Sequence, residues 1–315
     1  MSSIPFRAND AARQRFEAAE LRCGEALRTA AEHLLNAARP DPLDRNCLTG
    51  DEAAQLMRVH QVSDIETLML LIMPLARRMT RPAVSDYEVG AVGREAVSGA
   101  LLLGGNIEIL GSEFGLTIHG ETCLAARAFS RGDRLSHIAL REAHPCGHCR
   151  QFLTEFAGAD RLRIIDPLGH ELSLSQLLPW PFDPGYLGQP GAHPAPKAEL
   201  SLALAMEGMI ADRLIQTACR AHAPYGRNPA AVAIMLAGGA CVTGAAIENV
   251  AFNPSMGPMQ VALINLIAAG FTINAIRHIH LAECDGAALP HALQTQLLRD
   301  RISPGAGFTL HHWQV

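Results

Sequence analysis

Four side chains in two short stretches have the types and spacing to do chemistry. His119-Gly120-Glu121 and Pro145-Cys146-Gly147-His148-Cys149 each stand where a helical pattern opens. A CxxC alone is ambiguous between a redox pair, half a structural zinc site and part of a catalytic one. With Pro145 in the first turn, both sulfurs sit at a helix start. Free backbone N–H groups and the helix dipole there favour thiolate over thiol. That suits a metal and a redox couple equally, and His119 breaks the tie. One nitrogen and two sulfurs make three protein ligands, and a fourth tetrahedral position left to water marks a catalytic rather than a structural zinc. Such an ion lowers the pKa of bound water from about 15.7 to about 7. Glu121, beside the ligands but not one of them, can then take the proton and pass it on. His137, His144 and His148 lie nearby, but a fourth protein ligand would block the water, so each reads as a loop or strand-edge histidine. A redox protein would leave His119 and Glu121 without a task.

The elements that must bring these stretches together can be read outward from them. TIHGETCLAARAFSRG predicts a helix from near His119 to Gly132, HIALREA a strand, PCGHCRQFLTEFA a helix and LRIIDP a further strand. Upstream, YEVGAVG and ALLLGGNIEI read as two strands. The two helix starts can meet at the same edge of a parallel strand pair, in an α/β layer domain that ends near Pro179. Before it lies a helix capped by Asp10 and stopped at Pro40 and Pro42. Two more follow, with capping-box spacing at Thr49–Glu52 and Ser63–Glu66, the second reaching about Met79. PWPFDPGYLGQPGAHPAP, from Pro179 to Pro196, is a Pro/Gly-rich linker, and SLALAMEGMIADRLIQTACRAH is helical again.

The second half echoes the first. AVAIMLAGGACVTGAAIEN resembles VGAVGREAVSGALLLGGNIE, so that Ile247-Glu248 lines up with Ile107-Glu108. His119-Gly120-Glu121 then faces Pro258-Met259-Gln260, and no CxxC follows. A duplicated domain that has lost its metal ligands accounts for this pattern. The division is a helical segment at 1–52, a catalytic domain at 53–180, a linker at 181–198 and a degenerate, non-zinc-binding copy at 199–315.

Bulk properties narrow the function. The 315 residues are 49% hydrophobic and 18% charged, with a formal net charge of −5, enough for two domains with real cores. No block of Lys or Arg offers the phosphate neutralisation that nucleic-acid binding rests on. The polar start lacks a signal-peptide core. The longest apolar stretch, Leu68 to Ala76, is too short for a bilayer. A soluble, cytoplasmic protein with neither nucleic acid nor membrane as partner is expected. Its eight widely spaced cysteines read as reduced thiols, mostly buried.

An H-x-E followed by P-C-x-x-C is a signature of zinc deaminases that act on bases, and both parts are present in order. GGNIEI, IHGETCLAARAF and HPCGHCRQF resemble the cytidine deaminase family. IENVAFNPSMGPMQ resembles the inactive second domain of its homodimeric bacterial class. The resemblance implies two three-layer α/β/α domains in tandem behind a small helical segment, one Zn2+ per chain, and hydrolytic deamination of cytidine and deoxycytidine. It also implies site roles. Asn106 and Glu108 would bind the ribose 3′-hydroxyl, with Ile107 between them contributing at most its backbone. The Gly120 N–H would meet the pyrimidine O2, in a position where the family usually has alanine. Tyr87 would lie against the base, and Phe252 would close the neighbouring subunit's pocket in a homodimer. The alternatives are a deaminase of another cytosine nucleoside or nucleotide, and an inactive zinc-binding structural or regulatory homologue.

Overall fold

The computed structural model describes residues 6–141, 144–197 and 202–313. The chain runs α1 (Asp10–Asn36), β1 (Cys47–Leu48), α2 (Gly50–His60), α3 (Ile65–Ile72), β2 (Arg81–Pro82), β3 (Gly90–Glu95), β4 (Leu101–Gly105) and β5 (Ile107–Glu108). There follow α4 (Gly120–Ser130), β6 (Leu135–Leu140), α5 (Gly147–Thr154), β7 (Arg163–Ile165), β8 (Glu171–Ser173) and α6 (Leu174–Leu177). The second half contains α7 (Met209–Ala218), β9 (Ala231–Leu236), β10 (Cys241–Ala245), α8 (Pro258–Ala268), β11 (Ile276–Glu283), α9 (Ala292–Ile302) and β12 (Gly307–His312).

Two sheets carry the architecture. The first has the order β1-β4-β3-β6-β7-β8 and the second β10-β9-β11-β12. In the first, β3 is antiparallel to β4 and to β6, whereas β6 and β7 are parallel. In the second, β9 is antiparallel to β10 and β11, and β11 and β12 are parallel. Both halves thus run hairpin, helix, strand, helix, parallel strand, as expected of a duplication. The repeat reaches single bridges: Ile107 pairs with Ile118 as Ile247 pairs with Met256.

The copies meet through their first crossover helices. α3 packs on β3 and β6, α4 lies against β3 and β4, and α4 contacts α8, which lies against β9 and β10. A helix held between a sheet and another helix has no wet face, so its sequence should be apolar all round. Every residue of α8 is buried, as is α4 from Gly120 to Phe129. Two glycines let these helices lie so close. A Cβ at Gly104 would fall 2.6 Å from Leu124, and one at Gly244 would fall 2.2 Å from the Ala262 nitrogen.

Several boundaries differ from expectation. The α1 cap is Asn9, whose side chain accepts from the N–H of Ala11 and Ala12, so Asp10 is the first helical residue. The Thr49–Glu52 capping box is present, but α3 is capped by Asp64, not Ser63. Pro74 cannot donate to an α-helical ladder, and the chain tightens to 3₁₀ from Met73 to Met79. Cys146 is itself the cap of α5, so Pro145 precedes the helix. The helix expected from Ser201 begins only at Met209, after Gly208 in a positive-φ conformation; 198–201 lie outside the described residues. Of the eight free cysteines only Cys47, Cys123 and Cys149 are fully buried. Cys23, Cys219, Cys241 and Cys284 are half-buried and Cys146 is exposed. No helix among the described residues is long and apolar enough to cross a membrane.

A buried carboxylate joins the halves. Glu155, with no exposed surface, caps the end of α5. Its Oε1 accepts from His222 Nε2 at 2.6 Å and from the Tyr225 hydroxyl at 2.7 Å, and its Oε2 from the Val250 N–H at 2.8 Å. Truncating one partner of such a set strands the others away from water. Glu155→Ala should therefore cost about 3–5 kcal/mol of stability, read as a drop in Cm at unchanged m-value. A loss below about 1 kcal/mol would show that water replaces the carboxylate.

Candidate metal centre and active site

The two chemical stretches meet at adjacent helix N-termini. His119 caps α4, and its backbone is fixed by Thr122: the His119 N–H donates to Thr122 Oγ1 at 3.2 Å and the hydroxyl donates to the His119 carbonyl at 3.0 Å. α5, on the next crossover between the parallel β6 and β7, starts beside it. Arg150 holds the incoming loop, donating from Nε to the Pro145 carbonyl at 2.6 Å and from the guanidinium to the Leu177 carbonyl at 2.7 Å. His119 Nδ1 then stands 3.5 Å from Cys146 Sγ and 3.3 Å from Cys149 Sγ, and the sulfurs are 3.6 Å apart. Zn–S of about 2.3 Å and Zn–N of about 2.0–2.1 Å at tetrahedral angles require edges of about 3.5–3.8 Å. The donor set and its spacing therefore fit a zinc ion, and His119, Cys146 and Cys149 would hold it. His137 pairs with Glu66 and His144 with Asp166, and His148 is exposed. None joins the set, which leaves a fourth position free.

The electrostatics match. Two sulfurs in contact share one proton: the Cys149 thiol stabilises the Cys146 thiolate, bringing Cys146 down to about 4, while the same contact and burial push Cys149 up. A divalent ion relieves this conflict by displacing the shared proton. Glu121 is buried, and burial pushes its carboxyl above the usual carboxylate range; its own N–H and the ring of His119 oppose that rise, and Cys146 adds to it.

A cavity of about 290 Å³ opens from this centre, lined among others by Tyr87, Asn106, Glu108, Gly120, Glu121 and His144. Asn106 is a buried staple. Its Oδ1 accepts from the Val89 N–H at 3.0 Å, and its Nδ2 donates to the Tyr87 carbonyl at 2.9 Å and to Glu108 Oε1 at 3.4 Å. Glu108 accepts from the Ser85 hydroxyl and from the N–H groups of Val84 and Ser85 at 2.6–2.9 Å. Burial pushes Glu108 up, but these bonds outweigh it and hold the carboxyl below its ordinary value. Tyr87, 54% exposed, stands at the cavity wall rather than in a strand core. Gly120 is packed closely, since a Cβ there would meet Ala91 Cβ at 3.2 Å and the Val89 carbonyl at 3.4 Å.

Ile107 and Phe252 make other contacts within this chain. Ile107 spends its N–H and carbonyl on Ile118, and its side chain lines a separate cleft of about 310 Å³. The bridge to Ile118 occupies its N–H and one lone pair of its carbonyl. Phe252, 54% exposed and at positive φ, packs edge-on against Tyr225 in the second domain, away from this chain's cavity. Ser85 and Thr117 line the cavity without having been singled out, and so does His144, which the sequence reads as a loop or strand-edge histidine. For His144 the signal was available, two residues ahead of Cys146.

The zinc-binding region of cytidine and deoxycytidylate deaminases matches this chain twice, over residues 62–164 and 174–296. A cytidine deaminase of Vibrio atlanticus (strain LGP32) is 35% identical over 263 residues, 82% of this chain and 86% of its own. One from Aliivibrio fischeri (strain ATCC 700601 / ES114) is 33% identical over 292 residues, 92% and 95% of the two chains. One from Vibrio parahaemolyticus serotype O3:K6 (strain RIMD 2210633) is 34% identical over 291 residues, 90% and 96%. Fold and site therefore define a zinc-dependent hydrolase that removes an amino group. The chain belongs to the cytidine deaminase family, in the bacterial form with tandem domains.

Arg150 sets the loop that carries Cys146, and groups that orient ligands typically contribute 10–100-fold to metal affinity. Arg150→Ala should weaken zinc binding by about that factor, measured by competition with a chromophoric chelator. Unchanged affinity would mean that the loop holds itself.

Proposed function

We propose that the enzyme converts cytidine and deoxycytidine to uridine and deoxyuridine with release of ammonia, a pyrimidine-salvage reaction, and that Glu121 carries both protons. The observation that supports this most is a buried carboxylate, unligated, beside the open face of a His/Cys/Cys set. Bound zinc supplies the positive charge that makes a water acidic near pH 7. Glu121 takes that water's proton and delivers it to N3 of the ring, which leaves C4 electrophilic. Once the water oxygen has added to C4, Glu121 transfers the second proton to the amino group. The C4–N bond breaks and ammonia leaves.

Asn106 and Glu108 are assigned to the ribose hydroxyl. Glu108 is already oriented by Ser85 and Val84, and the carboxylate has lone pairs left to accept a further hydroxyl. The Gly120 N–H, in the first turn of α4, has no helical partner and is assigned to the pyrimidine O2. Tyr87 is assigned to the base. Phe252 is assigned to the pocket of a second copy in a cytoplasmic homodimer. Its 54% exposure leaves the ring open to a second copy. The division into 1–52, 53–180, 181–198 and 199–315 is retained on the strength of the repeated strand order.

Glu121→Gln should keep zinc and lose about 10²–10⁴-fold in kcat, the usual worth of a placed acid–base group, in an ultraviolet assay of cytidine loss. Near-normal turnover would remove Glu121 from the reaction. Glu108→Gln should lower kcat/KM for cytidine about 10–100-fold, the worth of one hydrogen bond to a charged group, and less for a substrate lacking the ribose hydroxyl. An equal loss on both would take Glu108 out of ribose recognition.

A further inference from the structure

Beside the zinc centre lies a second convergence of donors that the deamination reaction does not use. His144, Asp166 and His170 bring one ligand atom each within 4.8 Å of one another. Asp166 begins the turn that leads from β7 to β8. Its Oδ1 accepts from the N–H of Leu168 at 2.9 Å and of His170 at 3.0 Å, which fixes the carboxylate and leaves Oδ2 to face the two rings. His170 Nδ1 is 2.8 Å from Oδ2, and both residues are buried. His144 Nε2 points at the same oxygen from 3.5 Å, beyond hydrogen-bond reach. The rings stand edge to face, 5.6 Å apart at 74°, aimed at a common point rather than stacked.

We propose that His144, Asp166 and His170 form a second metal site, for a zinc-like first-row divalent ion. Two imidazoles and a carboxylate are a donor set that such ions take. Donors at about 2.0–2.2 Å from one ion are separated by about 3–3.5 Å; the observed 3.5 Å lies in that range, and the 2.8 Å hydrogen bond between His170 and Asp166 would lengthen slightly to admit the ion. An ion between them would complete the contact that His144 makes only by orientation. The carboxylate already has the outer-shell bonds that ligating carboxylates need. An entry path exists too. Asp166 and His170 line a cleft of about 100 Å³ whose wall also carries Asp64, Glu66 and Glu171, which pair with Arg15, His137 and Arg163. On its other side His144 lines the catalytic cavity. The ion would tether the segment two residues ahead of Cys146 to the β7–β8 turn, linking the catalytic loop to the far edge of the sheet.

The test is metal stoichiometry on the full chain, with Zn2+ and then Co2+ as probes. Metal-free protein should bind two equivalents. Asp166→Asn keeps an acceptor for Leu168 and His170, and His170→Ala removes one ring; each should bind one. In the Co2+ protein the sulfur-to-metal charge-transfer band of Cys146 and Cys149 should persist in both variants, while the additional d–d intensity of a nitrogen and oxygen site disappears. That band shows the fold and the first centre to be intact, so failure here is separable from failure of the deaminase assignment. His144→Asn, at a half-buried position, serves should either core variant lose the band. One equivalent in the wild-type chain, or two in the variants that keep the band, would overturn the proposal.

Discussion

An imidazole nitrogen 3.3 and 3.5 Å from two sulfurs that are themselves 3.6 Å apart is a costly arrangement without a cation. The rest of the first domain can be understood as what holds it. Two α-helix N-termini must arrive side by side, and the sheet order places the α4 and α5 crossovers on successive strands, β6 and β7. Local bonds then remove the remaining freedom: Thr122 on the His119 backbone, Arg150 on Pro145 and Leu177. The helix starts add their own partial positive charge, which favours thiolates before any metal arrives. The ion therefore enters a site whose geometry has already been bought by strands and helices that never touch it.

The second domain shows what duplication leaves when that demand is lifted. Gln260 stands where Glu121 stands in the first copy, and it is stitched into the join instead: its Nε2 donates to the Leu116 carbonyl at 3.2 Å, and its Oε1 accepts from the Gly257 N–H at 3.0 Å. Glu248, the counterpart of Glu108, keeps one of that residue's tasks. It accepts from the N–H groups of Tyr225 and Gly226, much as Glu108 accepts from those of Val84 and Ser85. Turn-holding bonds survive and reaction groups do not. Asn265 on α8 reaches Ser130 at the end of α4. The copy has become a buttress for the helix that begins at His119.

Much of this was legible from residue order because the chemistry is local. His119, Glu121 and the CxxC open their helices, and a helix start is a feature the chain announces. The doubled strand pattern was legible for the same reason. What was not legible is set by contacts between distant residues. Nothing local says that Ile107 bridges to Ile118, which lies beyond an intervening loop. The choice of Asp64 over Ser63 as cap depends on which side chain reaches the Thr67 N–H, and Asp64 does so at 2.8 Å. His144 reads as a loop histidine until Asp166, at the end of β7, is brought to face it.

The cavity's charge supports a nucleoside over a nucleotide. Its lining holds two carboxylates, Glu108 and Glu121, and neither Lys nor Arg. A phosphate entering it would need neutralising donors at the ribose end, where Glu108 is instead held ionised by three strong hydrogen bonds. Two anions at that range repel, and the low dielectric of a half-enclosed site magnifies the effect. A free hydroxyl meets the opposite situation, since a carboxylate is a strong acceptor for it. On the proposed assignment of Glu108 to the ribose, one group would both orient the sugar and repel its phosphorylated form.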